Sequence, residues 1–545
     1  MTEPAAESST ERLFDAVIVG AGFSGMYQLH RLRALGLSVR VLEQGGDIGG
    51  TWYWNRYPGA RCDIPTIEYS FSFDKTLEQS WDWHELMAGQ PEILDYANHF
   101  AERFDLRRDI DFDTEVTAAA FDENRADWRI TTADGAVTRA RYLIMATGCL
   151  SVPHWADIPG RDEFAGPVFH TGLWPAAGVD HRSQRVGIIG AGSSAVQAIP
   201  VIAETAAQVL SFQRTPVYSM PANNHPLDDA FRADIKARYD SIRAAQRASM
   251  AGFVLYGVQG KVQDMGAANI LDLSVEERRA RLDAEGLASL RRYPDVAVDL
   301  TANETACDLF REEIASLVED PDTASALMPR GYPLGCKRQV VDTNYYETFN
   351  RPHVEAIDLR AEPIERITAT GIRTSRADYE FDQLIFATGF DAMTGALTRV
   401  DIRGRGNRAL REHWEAGPRS YLGLQAHGFP NLFTVTGPGS PSVLSNMLVS
   451  IEQHCDWITD CIAAMRDNGH ALIEPERAAE DAWVEHVNAV AQGTVLTAPS
   501  CNSWYLGANI PGKTRLFMPY IGGVGAYREK CAAVVANGYE GFRFA

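Results

Sequence analysis

No two of the eight cysteines form a C-x-x-C pair, and no Cys/His cluster has metal-ligand spacing. A dithiol redox centre read from adjacent cysteines and a structural zinc site are therefore both excluded. The expectation is eight free thiols, Cys62, Cys149, Cys307, Cys336, Cys455, Cys461, Cys501 and Cys531, in a reducing cytoplasm. The N-terminus, M-T-E-P-A-A-E-S-S-T-E-R, has no apolar core and reads as a disordered tail over residues 1–12 rather than a signal peptide. No stretch is long and apolar enough for a membrane. Tyr421–Ile451 has no charged residue, but G-P-G-S-P at Gly437–Pro441 breaks it into a strand, a loop and a helix start. Basic charge is also scarce: 51 Lys and Arg against 72 Asp and Glu give a net charge of −21. That balance argues against nucleic acid and an anionic membrane surface as partners.

Glycine-rich turns in a strand–helix–strand context are present twice. At 545 residues the chain is long enough for several domains. Phe14–Val19 is an apolar run, G-A-G-F-S-G at Gly20–Gly25 follows it, Met26–Leu35 has helical spacing, and Ser38–Leu42 ends at Glu43. This is a dinucleotide fingerprint in its full context: one glycine for the tight turn, one for close approach of a pyrophosphate, one for helix–strand packing, and an acid for the ribose hydroxyls. Arg185–Ile189, G-A-G-S-S-A at Gly190–Ala195 and Val209–Gln213 repeat the pattern. Here the strand runs into Gln213–Arg214 with no acid, so a ribose 2′-phosphate is accepted and the coenzyme reads as NADP(H). Two such sites in one chain imply electron transfer between bound cofactors.

Between them lies F-A-G-P-V-F-H-T-G-L-W-P, Phe164–Pro175, too short and too rich in Gly and Pro for a core element, and read as the joint between two nucleotide units. Upstream, Gly49–Asp63 crowds Trp52, Tyr53, Trp54 and Tyr57 with Arg56 and Arg61 in a loop suited to a flat ring. Residues 226–328 have helical texture, with Ser274 and Glu277 spaced as a capping box. Met328–Arg338 is a loop with Arg330, Lys337 and Arg338 and no acid, and Ala498–Lys513 is a Gly/Ser/Asn-rich candidate lid holding Trp504.

Phe164, Gly166, His170, Trp174 and Pro175 match F-x-G-x-x-x-H-x-x-x-W-P, and Gly49–Asp63 matches G-G-x-W-x-x-x-x-Y-P-G-x-x-x-D. On these residues the sequence resembles the Baeyer–Villiger monooxygenases over nearly its whole length, most of all the phenylacetone and steroid branch. The resemblance implies an α/β fold of two Rossmann-like, three-layer ββα domains. FAD would occupy 13–150 with 385–545 and NADP 151–225 with 329–384, and 226–328 would be a helical insertion in the second. It implies an FAD- and NADPH-dependent enzyme that converts a ketone and O₂ to an ester or lactone through a C4a-peroxyflavin, with sulfoxidation as a side activity.

By the same resemblance Arg338 is the catalytic cation and Asp63 orients it. The cofactors fall to Gly20, Gly22, Phe23, Ser24, Gly25, Glu43, Gln44, Gly50, Thr51, Trp52, Asp63, Tyr69, Val116 and Met447, and to Arg61, Cys62, Gly190, Gly192, Ser193, Ser194, Ala195, Gln197, Arg214, Thr215, Lys337, Arg338 and Trp504. The substrate pocket falls to Cys149, Leu150, Ser442, Val443, Leu444 and Met447. No metal is implied, and the chain would be a monomer or weak homodimer. The runner-up is an N- or S-oxygenating flavin monooxygenase, a family that usually lacks the Trp174–Pro175 ending. A redox-sensing binding protein would bind NADPH without ketone-dependent oxidation.

Overall fold

The structure is a computed structural model that describes residues 11–254 and 268–545. Most of the expected tail and part of the expected insertion lie outside the described residues. Two sheets, each with a parallel core built on one glycine turn, organise the chain. In the first, strand Arg12–Val19 is flanked by Val39–Leu42 and Val137–Met145, all parallel. Its inner residues Ala16, Val17 and Ile18 are fully buried, as a strand covered on both faces requires. Val116–Asp122, Asp127–Thr132 and Val137–Met145 form an antiparallel meander, and Leu432–Thr434 returns late in the chain to pair with Leu143–Met145.

The second sheet repeats the plan. Val354–Asp358, Gln208–Gln213, Arg185–Ile189, Gln383–Phe386 and Val168–His170 lie side by side, all parallel. A meander of Ile364–Thr368, Gly371–Thr374 and Asp378–Glu380 accompanies it. The expected joint is thus part of the core: Val168–His170 is an edge strand that pairs with Leu384–Phe386. Backbone hydrogen bonding tolerates the flanking Gly and Pro because only three residues need to be extended. His170 accepts from the Gly172 N–H at 3.0 Å, and burial pushes its pKa down to about 4, so the ring is neutral and structural.

The chain crosses between the two units twice, near 149–154 and 387–391, and the crossings are stitched together. His154 N donates to Gly389 O at 2.8 Å, and Asp391 N donates to Val152 O at 2.9 Å.

The expected insertion divides between the units. Helix Asp229–Ala248 buries Ile235, Tyr239 and Ile242 in the core of the first unit, not the second. Its buried Arg243 donates to Glu78 at 2.8 Å and to the Ser70 hydroxyl at 2.7 Å. Helices Val275–Glu285 and Leu300–Leu317 pack on the second unit, and the capping box of Ser274 and Glu277 forms. The C-terminal helix Val524–Ala536 and strand Phe542–Phe544 were not foreseen; the helix packs on Asp229–Ala248 and the strand pairs with Ile473–Pro475.

The side chains of Arg243 and Glu78 are both 4 % exposed. Removing one partner leaves a buried uncompensated charge, which costs about 3–5 kcal/mol. Arg243→Leu is therefore expected to lower the unfolding free energy of the first unit by that amount, read as a lower midpoint in urea denaturation followed by tryptophan fluorescence. Unfolding unchanged from wild type would show that this pair does not fasten the helix.

Candidate functional site

The two glycine turns open on one cleft of about 2150 Å³ between the units. In the first turn, Gly20 has φ +103°, and a Cβ on Gly25 would lie 1.8 Å from Gly20 O, so neither position admits a side chain. Helix Phe23–Ala34 follows with Gly22 as its N-cap and no side-chain cap. Its first N–H groups are left to whatever occupies the cleft. Gly50 faces Gly22 so closely that a Cβ there would be 2.8 Å from the Gly22 Cα. The second turn is built alike: Gly190 has φ +129°, and Gly192 caps Ser193–Ile202 without a side-chain bond and with open space at its Cα. Both turns thus keep a Cβ-free cradle at an uncapped helix start, which is the shape a pyrophosphate requires.

Glu43 closes the first cradle. Its carboxylate accepts from Ala21 N at 2.5 Å and Gly45 N at 2.7 Å, and burial raises its pKa against those bonds. Both oxygens carry further lone pairs for hydroxyl donors. Thr51–Trp54 is a short helical turn where an irregular loop was expected. Trp52 is buried, its indole N–H donating to the Tyr69 hydroxyl at 3.2 Å. The same loop reaches the second unit, where the Tyr57 hydroxyl donates to Gln197 Oε1 at 2.8 Å.

Of the expected cofactor residues, all line the cleft but Gly25 and Ala195, which shape the turns from behind. Of the expected pocket residues, Cys149, Leu150, Val443, Leu444 and Met447 line it and Ser442 does not. Ser442 is fully buried, with its hydroxyl donating to Thr436 O at 3.2 Å and lying 3.1 Å from Cys149 Sγ. The expected helix start at Ser442 is a short 3₁₀ turn, and the helix proper begins at Met447, capped by the Asn446 side chain.

The cationic loop closes the cleft from the second unit. Arg338 Nε donates to Asp63 Oδ2 at 3.1 Å and Nη1 to Val443 O at 2.7 Å. Burial works most strongly against its charge, but the Asp63 carboxylate and the neighbouring groups together outweigh it, and the pKa is raised. Tyr505 was missed in the sequence. It is buried and hydrogen-bonded to Arg338, and the only signal was its place beside Trp504. Lys337 lies with Nζ 4.0 Å from the Tyr332 ring centroid. Burial first, then the charge of Arg214, lowers its pKa to about 8. Lys337 and Arg214 thus lie close enough for their like charges to act on each other, a repulsion that an anion bound beside them would offset.

One expectation fails at this loop. Cys336 and Cys501 are not free thiols but a disulfide, with Cα atoms 6.0 Å apart; the other six cysteines are free and buried. The sequence hid the pair because 165 residues separate its members.

The comparisons agree with one another. The family model described as pyridine nucleotide-disulphide oxidoreductase matches residues 17–253. The chain is 39 % identical over 535 residues to an acetone monooxygenase (methyl acetate-forming) of Gordonia sp., covering 97 % of this chain and 98 % of that one. It is 40 % identical over 534 residues to a Baeyer–Villiger monooxygenase of Pseudooceanicola batsensis, covering 96 % and 95 %. The solved structure of an oxidised steroid monooxygenase bound to NADP superposes with a TM-score of 0.90 at 47 % identity, over 98 % of this chain and 99 % of that one.

Proposed function

The chain belongs to the Baeyer–Villiger monooxygenases, and on that premise we propose which of its residues perform the reaction. It is an FAD- and NADPH-dependent enzyme that inserts one atom of O₂ beside a ketone carbonyl to give an ester or lactone. The Gly20–Gly25 turn, Glu43 and the Gly49–Asp63 loop would hold FAD; the Gly190–Ala195 turn, Arg214, Lys337 and Trp504 would hold NADP(H). When bound, reduced FAD supplies the activation of O₂.

The protein's part is to hold charge and exclude water. Addition of an oxygen nucleophile to a ketone turns the carbonyl oxygen into an oxyanion, and a preorganised cation lowers the barrier most when it costs no reorganisation. Arg338 is such a cation. Two of its N–H groups are committed to Asp63 and Val443, and a guanidinium carries further donors for an oxygen in the cleft. Asp63 fixes its direction: opposite charges about 4 Å apart attract by roughly 4 kcal/mol at an effective dielectric near 20. Cys149, Leu150, Val443, Leu444 and Met447 would form the apolar wall for the ketone, and Trp504 with Tyr505 would close the cleft over it. The observation that carries this reading is one charged, held guanidinium facing a cleft with two nucleotide cradles. The test is ketone-dependent NADPH oxidation under ¹⁸O₂, with one labelled oxygen expected in the ester. NADPH consumed with unchanged ketone, or an N- or S-oxide as the sole product from a mixed panel, would contradict it.

Lys337 adds a pH dependence. In the free enzyme its ammonium is lost as pH rises through about 8, and with it one contact to a 2′-phosphate. The KM for NADPH should therefore rise about tenfold from pH 7 to pH 9, while that for NADH stays level. Lys337→Arg, always charged, should flatten the NADPH profile; an equal rise for both coenzymes would remove Lys337 from this role.

A further inference from the structure

The Cys336–Cys501 bond joins the two loops that carry the reaction's proposed cations and lid. Cys336 stands next to Lys337 and Arg338, and Cys501 stands three residues before Trp504 and four before Tyr505. We propose that the two cysteines are a redox-switchable positioning pair. Joined, they clamp the 498–513 loop onto the Arg338 loop; parted, they let the loops separate for coenzyme exchange. The proposal rests on the functional reading above.

Three observations carry it. The Cα separation of 6.0 Å suits a disulfide without backbone movement. Both residues are fully buried where the second unit's core meets the lid, so the bond belongs to the closed arrangement. The lid's far end is fastened elsewhere: Lys513 Nζ lies 2.5 Å from Asp391 Oδ1, and Asn509 Nδ2 donates to Phe390 O at 2.9 Å. Cutting the disulfide therefore removes the lid's covalent tie to the Arg338 loop and leaves the Tyr505 contact to Arg338 and the anchor at the crossing between the units. On closing, two S–H bonds break and one S–S bond forms. Two protons and two electrons pass to a small-molecule or protein disulfide, which becomes two thiols, and the reverse exchange opens the pair. Such a bond in a reducing compartment is a transient one, which suits a switch better than a staple.

The FAD-loaded enzyme, treated with reduced or oxidised dithiothreitol, tests this. Maleimide labelling after denaturation should count eight thiols in the reduced form and six in the oxidised form. Stopped-flow release of NADP⁺ should be about tenfold slower in the oxidised form. Cys501→Ser and Cys336→Ser should release it at the reduced wild-type rate and ignore the treatment. Eight thiols in the oxidised form, or wild-type release that does not respond to reductant, would overturn the proposal. Release in both variants that still responds to reductant would also overturn it. Ester formation is scored separately: its absence from every form would defeat the functional reading, while thiol counts and release rates still judge the clamp.

Discussion

The site depends on one ion pair that spans the molecule. Asp63 ends the aromatic loop of the first unit and Arg338 ends the cationic loop of the second, 275 residues later. Neither loop reaches the other within its own sheet. The pair exists because the two crossings fix the units against each other, and because the Tyr57–Gln197 bond seats the first loop on the second unit's helix. A guanidinium held by a carboxylate, a backbone carbonyl and a buried phenol stays charged in a cleft lined on most sides by apolar wall. That is what a reaction passing through an oxyanion requires of the protein.

Much of this was legible in the sequence because the nucleotide turns are local. A strand, a glycine turn and a helix follow within about 20 residues, and steric demands at Gly20, Gly25 and Gly190 leave no other residue type. The capping box at Ser274 and Glu277 was legible for the same reason: helical spacing and cap chemistry are short-range signals.

What escaped depends on contacts between distant segments. Phe164–Pro175 reads as a linker because its strand is short, and only the neighbouring Gln383–Phe386 makes it one. Helix Asp229–Ala248 has no mark that says which unit it joins; the answer lies in Glu78 and Ser70, far upstream. Ser442 shares a motif with the residues of the wall, yet its positive φ turns it behind them. The cysteines show the limit most sharply, since counting them and finding no C-x-x-C gave free thiols, whereas Cys336 and Cys501 meet only when the lid folds over the Arg338 loop.

The most direct measurement separates the two half-reactions in Arg338→Ala by stopped-flow. Hydride transfer from NADPH develops no oxyanion, so flavin reduction should stay within about fivefold of wild type. Ester formation should fall by roughly 10²–10³ or more, the loss typical of removing a preorganised donor. Ester formed at a near wild-type rate would contradict the account and move the catalytic cation elsewhere in the cleft.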